Sequence, residues 1–320
     1  MVDLFAGLGG FSVAAGRVGI KVVLATDVSQ TCETIYRVNF AAPFVCQDIR
    51  QASAPGQPSV SELVTAAQPD IVTAGFPCQS FSRAGRQAGL ADPLGRGQLV
   101  FDLLGVLRAA RPRAFLLENV ANLVAHAGGA TLGQILQELT SLGYFVTHSV
   151  LDAHVISGLP ARRERLYIVG VARQEWLERF AWPSAAQKFV GWREILQPPA
   201  QIADKYYETG RKLAAHVPGF DWRADTIYTY RRSYVRAAAG GVFPTLMANM
   251  GTGGYNVPLV VDKRGLRPLT VRECARLQGL SDDFVLPAEL LDKHLYQALG
   301  NSISVPTVAA ILGGLQAALT

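Results

Sequence analysis

The chain has 320 residues, 49% hydrophobic and 17% charged, with 30 basic against 25 acidic side chains and a formal net charge of +5. That length suits one large domain with a smaller companion, and the composition places it among ordinary globular chains rather than disordered ones. The basic excess fits a polyanionic partner.

The four cysteines, Cys32, Cys46, Cys78 and Cys274, form no C-x-x-C pair and have no histidines at metal-ligand spacing. This argues against a metal site or a disulfide framework and predicts a reduced, cytoplasmic protein. The opening residues lack a basic segment followed by an apolar core, so no signal peptide is expected. Two long uncharged runs invite a membrane reading. Residues 237–261 have a loop composition, and residues 301–320, interrupted by Pro306, Gly313 and Gly314, read as a buried helix closing a core.

From residue 1 to about 170, apolar strands near 1–5, 21–26, 71–74, 114–118, 145–151 and 166–171 alternate with helical patterns, including 98–108 and 132–142. Such alternation predicts βαβ units in a mainly parallel sheet. The first strand runs into Asp3-Leu4-Phe5-Ala6-Gly7-Leu8-Gly9-Gly10-Phe11, a glycine turn that lets a ligand approach the backbone and face a helix N-terminus. Asp27 follows the second strand, placed to accept hydrogen bonds from ribose hydroxyls, and Asp48 follows the third. The turn lacks the G-x-G-x-x-G of a dinucleotide site. A nucleoside cofactor without phosphates fits better, and that points to S-adenosylmethionine.

The next strand delivers Gly75-Phe76-Pro77-Cys78-Gln79-Ser80-Phe81-Ser82, so Cys78 falls just past a strand's carboxyl end, where ligands bind in open α/β sheets. A thiolate there can attack an electrophilic carbon. A lone cysteine on a strand is otherwise a buried structural residue, so its neighbours decide. Leu116-Leu117-Glu118-Asn119-Val120 ends another buried strand with a carboxylate able to hold or donate a proton, or else with an N-cap network through Asn119 and Asn122. In residues 157–167, Arg163 and Arg165 take alternate positions of an incipient strand, pointing to one face as a pair gripping a planar ligand must. The bland reading of that charge run is a solvated face.

Beyond residue 175 the alternation stops, and residues to about 270 form a second, irregular domain without internal repeats. Tyr228-Thr229-Tyr230-Arg231-Arg232-Ser233-Tyr234-Val235-Arg236 interleaves three arginines with three tyrosines, and no acid occurs from Thr226 to Met250. Arginine reads guanine bidentately or binds phosphate; the alternative is a β-hairpin with a basic face.

Two further blocks follow, Arg267-Pro268-Leu269-Thr270-Val271-Arg272-Glu273-Cys274-Ala275-Arg276-Leu277-Gln278-Gly279 and Gln297-Ala298-Leu299-Gly300-Asn301-Ser302. With the glycine turn, the Cys78 block, Glu118-Asn119-Val120 and Arg163-Glu164-Arg165 in that order, the chain resembles the DNA cytosine-5 methyltransferases of bacterial restriction-modification systems. The resemblance covers nearly the whole chain except about 175–240.

It implies an α/β, Rossmann-like S-adenosylmethionine-dependent methyltransferase fold with a mainly parallel sheet and a small, irregular, β-rich target recognition domain. Residues 1–175 with the C-terminal helix 298–320 would form the catalytic domain, 176–272 the recognition domain and 273–297 a hinge. Cys78 would add to carbon 6 of a flipped-out cytosine. Glu118 would contact ring nitrogen 3 and the exocyclic amine, and Arg165, helped by Arg163, the carbonyl oxygen at carbon 2.

By the same resemblance, Phe5, Gly7, Leu8, Gly10, Asp27, Val28, Asp48, Ile49, Pro77, Leu99, Asn301 and Ile303 would line the cofactor site, leaving S-adenosylhomocysteine as product. Gln79, Ser82, Arg83, Arg86 and Arg96 would lie on a loop closing over double-stranded DNA. Tyr230, Arg231, Arg232, Tyr234, Arg236, Thr245 and Gly253 would meet it from the recognition domain. A monomer, with a restriction endonuclease acting on the same site as a possible partner, is the implied state. Ala161 departs from the family's glutamine before the arginine block. A transfer-RNA methyltransferase of the same fold typically has a second-domain cysteine, absent between Cys78 and Cys274 here; an inactive DNA-binding homologue would not need Cys78, Glu118 and Arg165 together.

Overall fold

The computed structural model describes residues 1–76, 99–231, 234–252 and 255–320. In chain order the elements are β1 (Val2–Leu4), α1 (Gly10–Arg17), β2 (Leu24–Asp27), α2 (Gln30–Asn39), β3 (Phe44–Cys46), α3 (Val60–Ala67), β4 (Ile71–Gly75), α4 (Leu99–Ala110), β5 (Ala114–Val120), α5 (Ala130–Ser141), β6 (Phe145–Asp152), α6 (Ala153–Ser157), β7 (Glu164–Val171) and α7 (Gln174–Arg179). They continue with α8 (Asp204–Ala215), β8 (Tyr228–Arg231), β9 (Tyr234–Ala237), β10 (Pro258–Asp262), β11 (Gly265–Pro268), α9 (Val271–Leu277), α10 (Asp292–Asn301) and α11 (Val305–Leu319). Two compact units result. One joins Met1–Asp152, Glu164–Ser184 and Thr307–Thr320; the other joins Ala153–Arg163 and Ala185–Pro306.

The first unit is built on a seven-stranded sheet in the order β3-β2-β1-β4-β5-β7-β6. β1 to β5 pair in parallel, whereas β7 runs antiparallel to both β5 and β6. Val2, Leu4, Val72, Ala74, Phe115, Leu117, Leu166 and Ile168 enter one buried core with Val100, Leu103 and Leu107 of α4 and Ile135 and Leu139 of α5. The apolar strands and the helical spacing of 98–108 and 132–142 therefore serve one purpose, covering a sheet buried on both faces. Strand order reverses between β1 and β4, which opens a crevice at their carboxyl ends.

Two features were not readable from periodicity. β3 has three residues, only Phe44 of them buried, too short to show a period. The inserted antiparallel β7 is a matter of topology, since a buried strand reads alike in either direction.

The tail holds two helices, α10 and α11, with Pro306 in the first turn of α11, where a missing amide costs nothing. Although Asp292–Leu319 is long and apolar enough to cross a membrane by composition, Val308, Ile311, Leu312 and Leu315 are fully buried in the protein.

The second unit carries a four-stranded antiparallel sheet in the order β11-β10-β8-β9. Leu213 of α8 packs with Tyr228, Tyr230 and Leu259 to form its core. Gly210 lets α8 approach β11, because a Cβ there would sit 1.8 Å from the Leu266 carbonyl oxygen. Beneath the sheet, Arg267 is fully buried; its Nε donates to Asp262 at 2.6 Å, and its two Nη atoms donate to Glu273 at 2.8 and 2.9 Å. Glu273 also completes the capping box of α9 with Thr270.

Removing a buried cation strands its anions, at a cost of about 3–5 kcal/mol. Arg267→Met should accordingly lower the denaturant midpoint for the second unit sharply, and a midpoint unchanged in chemical denaturation followed by tyrosine and tryptophan fluorescence would contradict the account.

Candidate active site

At the crevice, the backbone leaves β1 through a left-handed turn. Phe5 has φ +53°, Gly7 +56° and Gly9 +97°. A side chain at Gly9 is barred twice, by its φ and by the Phe40 ring, which a Cβ would meet at 2.3 Å. The turn is closed from β2: the amide of Ala6 donates to the Thr26 carbonyl, and the amide of Gly7 donates to Asp27 Oδ2, both at 2.9 Å. The other Asp27 oxygen accepts from the Ser29 amide at 2.9 Å. Burial raises the Asp27 pKa despite these hydrogen bonds.

Of the other predicted cofactor residues, Val28 projects into solvent at 69% exposure. Phe5 and Ile49 are half-buried against the core, Gly10 starts α1, and Leu8 and Leu99 are buried. Asp48 is paired with Arg50 through side-chain hydrogen bonds of 2.6 and 3.0 Å, which hold its carboxyl below the usual range. Asn301 ends α10 and Ile303 is buried, both in the second unit.

Sequence reasoning passed over a network under this turn. Asp3, 0% exposed, accepts from Ser12 of α1 at 2.8 Å and from Thr73 of β4 at 3.2 Å, and the Ser12 hydroxyl also lies 2.9 Å from the Tyr36 hydroxyl of α2. Burial pushes the Asp3 carboxyl up to about 7, with the nearby Asp27 charge adding to the effect and the hydrogen bonds opposing it. An acid inside an apolar strand was the available signal.

A second cluster lies at the end of β5. The Arg165 guanidinium is 2.9 Å from Glu118 Oε1, and both side chains are largely buried. Glu118 pairs with Tyr167 and Val120 with Arg165 across the β5–β7 ladder, so the ion pair is a diagonal on one sheet face. The contact is an ion pair rather than a hydrogen bond, and the enclosed Oε1 has no hydrogen-bond partner among the described residues.

Asn119 is not an N-cap. Its Nδ2 donates to the Phe76 carbonyl at 3.2 Å and its Oδ1 accepts from the Val120 amide, tying the end of β5 to the residue after β4.

Arg163 stands immediately before β7, and its carbonyl accepts from the Ala153 amide at 3.0 Å. Its guanidinium, 5% exposed at the residue level, reaches the carbonyls of Leu246 at 3.5 Å and Gly300 at 3.3–3.4 Å. Tyr230 points inward to the small sheet's core, since alternation along β8 puts Tyr228 and Tyr230 on the covered face. Tyr234 and Arg236 are exposed on β9. The Thr245 hydroxyl donates to the Arg162 carbonyl at 2.8 Å. Ala161 lies in a β-bridge with Phe243, whose carbonyl accepts from the Arg162 amide at 2.9 Å and whose amide donates to the Pro160 carbonyl at 2.7 Å. Pro77, Cys78, Gln79, Ser82, Arg83, Arg86, Arg96, Arg232, Gly253 and the Arg231 side chain lie outside the described residues.

Among the described residues no group of three or more histidine, cysteine or acidic side chains is placed to hold a metal. A cavity of about 390 Å³ bordered by Met1, Lys21, Asp70 and Arg113 sits at the amino ends of β1 and β4, the opposite edge of the sheet from these clusters.

The family profile described as C-5 cytosine-specific DNA methylase matches residues 1–317. The Type II methyltransferase M.Bsp6I of Bacillus sp. (strain RFL6) is 37% identical over 314 residues, covering 97% of this chain and 96% of its own length. M.NlaX of Neisseria lactamica, also a Type II methyltransferase, is 34% identical over 333 residues, covering 100% of this chain and 97% of its own. The fold is similar to that of the Entamoeba histolytica methyltransferase EhMeth, with a TM-score of 0.77 at 17% identity over 100% of this chain and 98% of that one.

The Asp3 carboxyl supplies a test of the site's electrostatics. Its folded pKa of about 7 exceeds the ordinary carboxylate value of about 3.9, so between those limits the native state retains a proton that the unfolded chain has lost. Stability therefore falls as pH rises from about 4 to 7 and levels off above. Asn cannot titrate. On going from pH 5 to pH 8 the melting temperature of the wild type should drop relative to Asp3→Asn by roughly 5 °C; a constant difference between the two would show that Asp3 does not titrate in this window.

Proposed function

Because the chain belongs to the C-5 cytosine-specific DNA methylase family, we propose that it transfers a methyl group from S-adenosylmethionine to carbon 5 of a flipped-out cytosine in double-stranded DNA, through a covalent adduct at Cys78. The observation that supports this most is the Glu118–Arg165 pair at the end of β5, a carboxyl and a guanidinium held 2.9 Å apart. A cytosine edge presents, side by side, an exocyclic amine to donate, a ring nitrogen, and a carbonyl oxygen to accept. A carboxyl and a guanidinium held together match that edge.

In this reading the Cys78 thiolate bonds to carbon 6 as nitrogen 3 takes a proton from the Glu118 carboxyl, so that the displaced electron pair is held on a neutral ring, with Arg165 donating to the carbonyl oxygen. Carbon 5 then takes the methyl group, leaving the neutral thioether as product; a base supplied by solvent removes the carbon 5 proton, and the electron pair released re-forms the ring double bond and expels the Cys78 thiolate as nitrogen 3 returns its proton to Glu118. Asn119, by holding the Phe76 carbonyl, sets where the chain enters the Cys78 block. Arg163 acts as a positioning residue, anchoring the backbone at Leu246 and Gly300.

The cofactor fits the turn. Left-handed backbone at Phe5 and Gly7 leaves room for close approach, Asp27 is positioned for ribose hydroxyls, and exposed Val28 offers an apolar surface to a base. Once bound, S-adenosylmethionine supplies an electrophilic methyl group on a cationic sulfur. We assign the outward face of β9, with Tyr234 and Arg236, to DNA contact, and a restriction endonuclease of the same specificity as a partner.

The decisive experiment incubates the protein and S-adenosylmethionine with duplexes of randomised sequence containing 5-fluorocytosine. Fluorine does not leave as a proton does, so an adduct resistant to denaturation should accumulate, map to Cys78 by peptide mass spectrometry, and vanish in Cys78→Ala. An adduct on transfer RNA but not on DNA would overturn the proposed substrate; no adduct on either would overturn the mechanism.

For the recognition face, Arg236→Ala should weaken DNA binding by about 1–3 kcal/mol if the guanidinium reads a base. A phosphate contact would instead lower the slope of log K against log salt by about one. Binding unchanged in both affinity and salt dependence would remove β9 from the interface.

A further inference from the structure

Two carboxylates border the β1–α1 turn, and among the described residues neither has a lysine, arginine or histidine within ion-pair distance. Asp3 is the deeper of the two, wholly enclosed two residues before the left-handed Phe5. Its oxygens are held from both sides of the crevice, by Ser12 on α1 and Thr73 on β4. Asp27 faces the same turn from β2 and holds its Gly7 amide. Burying an anion without a cation is costly, and hydroxyl donors together with the amino end of α1 offset only part of that cost. A positive charge brought to the turn by a ligand would complete the balance; a neutral ligand of the same shape would not.

We propose that Asp3 is a positioning residue through which the cofactor turn distinguishes the cationic sulfonium substrate from the neutral thioether product. The inference rests on the reading of this turn as the S-adenosylmethionine site and adds to it a source of selectivity beyond the contacts to ribose and base, which substrate and product share. The two ligands differ by one methyl group and one unit of charge, so discrimination must come from sterics at sulfur or from the field there. Asp3 and Asp27 supply a field of the right sign.

The consequence is a proton linkage. Without ligand, Asp3 titrates near neutrality; a nearby cation draws its pKa down toward the ordinary carboxylate range, so sulfonium binding at neutral pH displaces a proton. By reciprocity, raising the pH strengthens binding of the cation and leaves that of the thioether nearly unchanged. The groups facing Asp3 are Ser12 of α1, Tyr36 of α2, Asp27 of β2 and Thr73 of β4. Burial pushes the Tyr36 hydroxyl up, so it stays neutral, and the serine and threonine do not titrate. Asp27 is present unchanged in an Asp3 variant and is controlled for in that way.

The test is isothermal titration calorimetry of S-adenosylmethionine and S-adenosylhomocysteine against wild type and Asp3→Asn at pH 6, 7 and 8. Titration of each ligand's own amino group is the same against both proteins and cancels in the comparison. In wild type, affinity for the sulfonium relative to the thioether should rise about tenfold from pH 6 to pH 8, and in Asp3→Asn that rise should be absent. Ser12→Ala, which removes a hydrogen bond favouring the anion, should move the midpoint of the rise to higher pH, and with the wild type it carries the test if Asp3→Asn does not fold. A ratio independent of pH in wild type, or an equal slope in Asp3→Asn, overturns the role of Asp3 while leaving the cofactor site standing. Failure of wild type to bind either ligand overturns the cofactor site itself, and this inference with it.

Discussion

The hydrogen bond from the Gly7 amide to Asp27 joins the end of β1 to the end of β2 and holds open a left-handed turn that few side chains tolerate. Strand order reverses beside this turn, so no neighbouring strand covers the crevice there. Closing it with a carboxylate, rather than with another backbone pair, leaves an acidic group at the site where a nucleoside would lie. The aromatic stack of Tyr36 on Phe40 and Phe44, with ring centroids 4.3 and 4.9 Å apart, supports the turn from behind, and the Phe40 ring fills the space that a side chain at Gly9 would occupy. One hydrogen bond, one strand reversal and one aromatic wall thus determine the shape of this end of the sheet.

The other end of the crevice depends on β7 running against its neighbours. Because β7 enters the sheet antiparallel, its first residues meet the last residues of β5, and Arg165 arrives beside Glu118 on the same face. A parallel strand in that place would bring its carboxyl end to the crevice instead and leave Arg165 at the far edge. The inverted strand is therefore what allows a guanidinium from residue 165 to reach a carboxylate at residue 118.

What was legible in the sequence follows from which physical rules are local. Strand ends, the glycine turn and the placement of Glu118 after a buried run depend on neighbours a few residues apart, and the structure has them as expected. Tyr230 was misread because tyrosines beside arginines look like a nucleic-acid surface, whereas in a half-buried hairpin the same alternation sends one set of side chains inward; which set is decided by α8 and β10, far away in sequence. Asp3 has no legible role in the glycine-turn motif, since nothing local distinguishes an acid at a strand's exposed end from one enclosed by Ser12, Tyr36 and Thr73.

The placement of charge in the first unit suits two substrates of opposite sign. A cationic cofactor and a polyanionic nucleic acid cannot be attracted by one undivided field, and the net charge of +5 favours the polyanion over the protein as a whole. The first unit answers with local acids: Asp3 and Asp27 flank the turn with no cation paired to them among the described residues, so the field there is negative over a few ångströms despite the basic whole. At the end of β5 the acid is instead matched by Arg165, leaving a neutral pair suited to a neutral base edge. Short-range acids against a long-range basic excess work because salt screens charges beyond about 8–10 Å while enclosed groups are screened far less. The positive sum can thus draw the polyanion from a distance while the buried acids act only on what has already entered the crevice.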